Sequence, residues 1–335
     1  MSDVHVYFVG SKNLTSQTAV AIVSMAMNTT ANLYLYILNC DLPSDDINIL
    51  NRMCKSYKNI KSLTVKDVDC SQFDGCNKWH GHIDVWARMV FPDMFPNVDR
   101  AIYLDSDILI MGDIQKLYDM DLGGFALAAA PEIYHKSARE SNALKQRQEF
   151  FKYSGDKLYF CSGALILDCV QWREQRISNK IIDLAREYGT RFKFPDQDAL
   201  NMFFADNYMV IDNELCSTSR DILYLKHEEP ERFLHLQKNI IVRHFNVVKP
   251  FGKQIYMYNE AIDHIENWWA YALQTPYYLY FLHLMQLEKP TKKHSYKLHL
   301  FNKICLLKIT EAKPTKKVIY LFGFIPIMQL RKKEI

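Results

Sequence analysis

Over the first hundred residues, short apolar runs alternate with segments whose apolar positions suit a helix. Val4–Val9 reads as a strand, Gly10–Thr15 as the turn after it, and Thr18–Met27 as an apolar segment of helix length. The unit then repeats. Asn32–Leu38 is a second strand, Ser44–Tyr57 a helix opened by a Ser cap, and Ile60–Val68 a third strand. This alternation predicts a parallel, doubly wound α/β sheet. His82–Phe91 reads as a helix leading into Phe95 and Pro96.

The segment Ala101–Met111, AIYLDSDILIM, organises the rest. It reads as one buried strand broken by acids, and because side chains alternate along a strand, Asp105 and Asp107 are expected to lean to the same side. Two carboxylates so close repel each other unless a cation lies between them, and oxygen donors of this kind suit Mg²⁺ or Mn²⁺. The plainer reading is a strand ending in solvated acids. The end of an apolar strand is also where open α/β sheets bind ligands.

Downstream, Phe125–Ala130 is a strand after the Gly123–Gly124 pair, Glu140–Lys152 a polar helix, and Leu158–Asp168 an apolar strand interrupted by Ser162 and Gly163. A glycine there allows a ligand or another backbone to approach closely, or simply a bulge. Ile177–Tyr188 is a helix, Phe194–Asp198 caps another running to Phe204, and Ile240–Phe245 is a strand carrying His244. Tyr256–Leu273 reads as a helix containing Trp268 and Trp269.

The net charge of +3 hides an asymmetry. Residues 289–335 hold twelve Lys or Arg against Glu311 and Glu334; of the totals of 41 basic and 38 acidic side chains, 29 and 36 remain for the body. In this tail, basic residues interleave with aromatic and apolar ones, and the run Val318–Met328 is too short to cross a bilayer. The pattern suits adsorption to an anionic membrane surface, with a packed hairpin as the alternative; nothing else points to nucleic acid. The eight cysteines form no C-x-x-C pair, so reduced thiols are expected. The N-terminus lacks a basic region followed by a long apolar one, which predicts a cytoplasmic protein.

Five segments together resemble the family 8 glycosyltransferases, especially the bacterial ones that build the outer sugars of lipopolysaccharide. They are DVWARMVFPDMFPNVDRAIYLDSDILIMGDI, the DLGG of residues 121–124, LYFCSGALILDCVQWRE, FPDQDALN and RHFNVVKPF, in the family's order. The resemblance implies a GT-A fold: a Rossmann-like, mostly parallel sheet flanked by helices over residues 1–252. A helical extension would follow at 253–290 and a basic, aromatic membrane-association tail at 291–335. It also implies a UDP-sugar donor, a glycan or glycolipid acceptor, and a divalent metal, usually Mn²⁺, with Mg²⁺ also possible.

Carried over residue by residue, Asp105, Asp107 and His244 look like the metal ligands, with Ser106 between the two acids. Arg88 looks like the donor-contacting arginine, Lys249 like the lysine on the diphosphate, Asn13 like the asparagine near the nucleotide, and Asp196 and Gln197 like the pair beside the transferred sugar. Ser162 belongs to the same donor-side group. The chain also departs from the family pattern. Leu14 stands near the expected aromatic position, Cys161 replaces a sugar-contacting asparagine, and Glu132 replaces an aspartate. The loop from His244 to Lys249 is one residue shorter and has Val247 where glycine is expected; a β-branched residue resists the positive φ that glycine permits. The implied function is a retaining, metal-dependent hexosyltransferase on the cytoplasmic face of the inner membrane. The alternative is a non-catalytic sugar-nucleotide or glycan-binding relative.

Overall fold

The computed structural model describes residues 2–136, 149–153, 157–247, 249–251, 263–287, 296–300, 304–313, 316–321 and 325–331. The chain divides into two compact units, Met1–Val248 and Lys249–Ile335.

The first unit is built on a seven-stranded sheet. Its strands are β1 (Asp3–Gly10), β2 (Asn32–Asn39), β3 (Ile60–Asp67), β4 (Arg100–Leu104), β6 (Leu127–Pro131), β7 (Phe160–Asp168) and β8 (Met209–Val210), in the order β3-β2-β1-β4-β7-β6-β8. Neighbours are parallel except that β7 runs against both β4 and β6. Tyr7, Val9, Ala101, Tyr103, Leu165 and Leu167 bury one face, and Val6, Phe8, Ile102, Leu104 and Ile166 are buried between them in sequence. Both faces of β1, β4 and β7 are covered, which is why these strands read as continuous apolar runs, whereas β3, IKSLTVKD, has no fully buried residue. The connecting helices α1 (Thr15–Asn28) and α2 (Ser44–Cys54) begin close to the predicted positions. Ser44, however, is the first helical residue; Pro43 precedes it and no side chain caps the end.

Ala101–Met111 is not one strand. The chain leaves the large sheet at Leu104, turns through residues 105–107, and enters a second sheet as β5 (Ile108–Ile110). That sheet has the order β5-β10-β9, with β9 at Cys216–Thr218 and β10 at Val242–His244. β10 runs antiparallel to β5, setting His244 opposite Ile108, and the backbone N–H of Phe245 donates to the Asp107 carbonyl at 3.0 Å. The two acids therefore meet through a turn rather than through strand alternation. Helix α1 secures the far end, where the Asn28 amide donates to the Ile110 carbonyl at 3.1 Å and the Ser24 hydroxyl accepts from the Ile110 N–H at 3.0 Å.

The segment expected as a helix at His82–Phe91 is a 3₁₀ helix, Asp84–Met89, followed by one turn, Phe91–Met94. Trp86, Ala87, Arg88 and Met89 are all buried, a consecutive set that no single face of a longer α-helix would bury. Two helices missing from the sequence reading, Ser219–Glu228 and Pro230–Asn239, lie between β9 and β10. Most of the helix predicted at 140–152 and the start of the one predicted at 256–273 lie outside the described residues.

In the second unit, Phe251, Trp268, Trp269 and Phe281 form an aromatic cluster, and the Trp269 indole N–H donates to the Pro250 carbonyl at 2.9 Å. Its helices are Ile265–Ala272 and Tyr278–Leu287. The basic tail, read as an adsorbing segment or a hairpin, forms an antiparallel sheet of β11 (Tyr296–Leu300), β12 (Ile304–Lys313), β13 (Lys316–Leu321) and β14 (Ile325–Arg331), paired in sequence order. Among the described residues, no helix is long and apolar enough to cross a membrane.

Candidate functional site

The candidate site lies where the C-terminal end of β4 meets the N-terminal half of β7. Leu104 pairs with Ala164, and the Asp105 N–H donates to the Gly163 carbonyl at 2.8 Å. His244 arrives on β10. Its Nε2 lies 3.1 Å from Asp107 Oδ1 and 3.6 Å from Asp105 Oδ2. One donor atom from each of the three residues falls within 4.8 Å of the others, and among the described residues this is the one such cluster of potential metal ligands.

The donor chemistry fits a divalent cation. Ligand atoms about 2.1 Å from an octahedrally bound ion lie about 3 Å apart at adjacent positions, close to the imidazole–carboxylate separations here. Two carboxylates and one imidazole suit Mn²⁺, and less well Mg²⁺. The backbone has been pared away to admit them. A Cβ on Gly163 would lie 2.2 Å from His244 Cε1 and 2.9 Å from Asp105 Oδ2. The close approach that the glycine allows is thus made by side chains of the cluster itself.

Arg88 forms the floor on the other side of Asp105. The 3₁₀ helix buries it, and its guanidinium lies 3.2 Å from Asp105 Oδ1 and 3.1 Å from Asp196 Oδ2, and 4.5 Å above the Tyr103 ring. It also donates to the Ser162 carbonyl at 3.1 Å. Burial opposes its charge, but Asp105 and Asp196 outweigh burial and raise its pKa. Burial likewise pushes the Asp196 carboxyl up, against the pull of Arg88. Tyr103 donates to Asp105 Oδ1 at 2.6 Å.

The helix Pro195–Phe204 brings Asp196 and Gln197 to this floor. Asn201 docks it on β7 by accepting from the Phe160 N–H at 2.8 Å and donating to the Phe160 carbonyl at 2.9 Å. Asp198 accepts from the N–H groups of Lys193 and Phe194, the two residues that lead into the helix, whereas Asp196 bonds to Arg88 and the Ser162 hydroxyl. Gln197 is held at both ends of its amide. Its oxygen accepts from the Ser162 N–H at 3.0 Å and its nitrogen donates to Glu132 at 3.2 Å. Glu132 is buried and also accepts from the Tyr134 hydroxyl and lies 3.0 Å from His135 Nε2.

Nine of the residues singled out in the sequence therefore connect through direct contacts: Arg88, Asp105, Asp107, Glu132, Cys161, Ser162, Asp196, Gln197 and His244. Cys161 joins through its Sγ, 3.4 Å from His244 Nδ1, and burial pushes its thiol pKa up. Ser106 is buried and accepts from the Thr18 hydroxyl on α1 at 3.1 Å. Asn13 stands exposed in the turn between β1 and α1, and Lys249 opens the second unit. Val247 does not adopt positive φ, so no glycine is needed at that position. Tyr103 and Thr18 were missed by the sequence reading. Tyr103 had one signal, its position two residues before Asp105 on the same apolar strand.

The chain matches the model of glycosyl transferase family 8 over residues 5–255. It is 28% identical to glycosyltransferase GlyF of Streptococcus pneumoniae over 240 residues, covering 70% of this chain and 53% of that protein. It is 23% identical to the lipopolysaccharide 1,2-glucosyltransferase of Escherichia coli K12 over 177 residues, covering 50% of this chain and 51% of that one. The chain thus spans about half the length of these curated relatives. In three dimensions it is similar to the galactosyltransferase LgtC, solved with donor and acceptor sugar analogues, at a TM-score of 0.68 and 18% identity over 81% of this chain and 96% of that one. The bifunctional glycosyltransferase WbbM gives a TM-score of 0.70 at 19% identity over 85% of this chain and 52% of that one. These likenesses establish the architecture as the GT-A fold expected from the sequence. With most of its length inside the family match, the chain belongs to glycosyl transferase family 8.

Proposed function

We propose that this protein is a retaining hexosyltransferase that moves a sugar from a UDP-sugar donor to a lipopolysaccharide, lipooligosaccharide or other surface-glycan acceptor. The observation that carries the proposal is the meeting of Asp105, Asp107 and His244 beside a buried arginine, at the strand end where an α/β sheet receives its ligand. A divalent cation held by those three residues, Mn²⁺ by preference, would neutralise charge on the departing diphosphate. Arg88, fixed by two carboxylates, presents a planar cation to the donor without reorganisation. Asp196 and Gln197, whose side chains are already held, position the transferred sugar. Glu132, Cys161 and Ser162 complete the donor side, while Lys249 meets the diphosphate and Asn13 the nucleotide.

Among the described residues of the site, no carboxylate stands out as a free nucleophile. Asp196 is engaged by Arg88 and Ser162, and Glu132 by Gln197, Tyr134 and His135. This favours front-face transfer assisted by the departing phosphate over a double displacement. In the cell, the basic residues of 289–335 would hold the second unit on the anionic cytoplasmic face of the inner membrane, where a lipid-linked acceptor is found. Calorimetry with UDP, with and without Mn²⁺, tests the reading. Metal-dependent binding that disappears in Asp105→Asn and Asp107→Asn is expected; binding indifferent to metal would leave a non-catalytic glycan-binding relative as the better account.

A further inference from the structure

His244 is gripped on both nitrogens. Nε2 faces the two acids, while Nδ1 lies 3.4 Å from the Sγ of Cys161, within the reach of a sulfur hydrogen bond. Two residues along the same strand, Gly163 closes on the ring edge so tightly that a Cβ there would lie 2.6 Å from Nδ1. Cys161 also stands where the family's sequence pattern has an asparagine. A buried cysteine is often only a small apolar filler, but this one touches the polar atom of a potential metal ligand.

We propose that Cys161 is a positioning residue that decides which nitrogen of His244 carries the proton, and so sets the metal affinity of the site. The inference rests on the metal-binding reading of Asp105, Asp107 and His244. A neutral imidazole has one N–H and one lone pair. For Nε2 to offer its lone pair to a cation between the acids, the proton must reside on Nδ1 and find an acceptor there. Sγ is that acceptor. Without a cation, the better arrangement is the reverse: Nε2–H donates to the Asp107 carboxylate, and Nδ1 accepts from the thiol. If a cation were held there, the imidazole proton would pass from Nε2 to Nδ1 by way of water, with no net gain or loss of protons, and the thiol would turn from donor to acceptor. A thiol serves both states because it both donates and accepts; an alkyl group serves neither.

The test is a titration of the full chain with Mn²⁺, read from the electron paramagnetic resonance signal of free ion, for the unmodified protein and for Cys161→Ser, Cys161→Ala, Cys161→Val and His244→Ala, each checked for folding by circular dichroism. Removing a group that orients a metal ligand typically costs about 10- to 100-fold in affinity, so Cys161→Ala and Cys161→Val should weaken binding about 10-fold or more. Cys161→Ser, which keeps a donor and an acceptor, should stay within about 3-fold of the unmodified protein. The valine variant carries the test if the alanine variant does not fold. Unchanged affinity in both apolar variants, or a serine variant as weak as they are, would overturn the inference while leaving the metal site standing. If the unmodified chain binds Mn²⁺ no better than His244→Ala does, the metal-binding reading itself fails and the inference falls with it.

Discussion

Replacing Gly163 by alanine tests the geometry of the site with one methyl group. Gly163 lies inside β7 with ordinary strand backbone, so alanine brings no conformational penalty of its own. The added Cβ would meet His244 Cε1 at 2.2 Å, Nδ1 at 2.6 Å and Asp105 Oδ2 at 2.9 Å, where real contacts hardly ever fall below 3.0 Å. The imidazole must therefore retreat by at least about 0.8 Å, whereas metal–ligand distances tolerate about 0.2 Å. If β7 yields instead, the hydrogen bond from the Asp105 N–H to the Gly163 carbonyl is strained and the carboxylate moves. Either adjustment pulls one ligand away from the other two. Mn²⁺ affinity should fall at least about 10-fold, and overpacking should cost about 1–3 kcal/mol of stability. Calorimetric titration with Mn²⁺ and a thermal melt measure the two effects. A Gly163→Ala protein with unmodified metal affinity and melting temperature would refute the placement of His244 against β7.

Arg88→Ala would leave the buried carboxylate of Asp196 and its neighbour Asp105 without their shared cation; breaking a buried pair in this way costs about 3–5 kcal/mol, measurable by urea unfolding. Asp221, buried in the capping box of the helix Ser219–Glu228, has its pKa pushed up to about 7, chiefly by burial. The folded state therefore holds a proton that the unfolded chain releases near pH 4, so this group's contribution to stability is full below that pH and is lost as pH rises to about 7. The difference is at most about 4 kcal/mol, and it should vanish from the pH profile of Asp221→Asn; identical slopes in the two proteins would contradict it. Sedimentation of the full chain with phosphatidylglycerol vesicles should decrease steeply between low and high salt, whereas salt-independent binding would exclude the basic residues of 289–335 as the cause.

The middle of the large sheet was legible because both of its faces are buried. β1, β2, β6 and β7 each appear in the sequence as apolar runs bounded by turns, whereas β3, IKSLTVKD, alternates and has no fully buried residue. What the sequence could not reveal is which sheet a run joins. The residues flanking Asp105–Asp107 are equally apolar on both sides, yet β4 pairs with β1 and β7 whereas β5 pairs with β10. Hydrophobic periodicity reports burial, not partner. The two helices between β9 and β10 are a different omission, because their signals were present: Thr218 and Asp221 at capping-box spacing, and Pro230 at a helix start. Between Asp84 and Met89 four consecutive buried residues mislead any argument from helical spacing.

The site was harder to read than the fold, for a reason visible in its construction. Asp107 and His244 are 137 positions apart in the chain, and the link between them is a pairing of only three residues on each strand. No local pattern announces so short a ladder, and without the ordered family motifs His244 would have remained one of 11 histidines. Once that ladder forms, the remaining contacts follow from sterics and charge. Gly163 leaves the space that the imidazole fills, Arg88 offsets the repulsion between Asp105 and Asp196, and Asp198 rather than Asp196 takes the N–H groups of the segment leading into the helix. The residues that could be recognised individually are thus functional candidates whose meeting depends on two short strands, β5 and β10. A substitution that weakens that small sheet should scatter the cluster before it unfolds the large one.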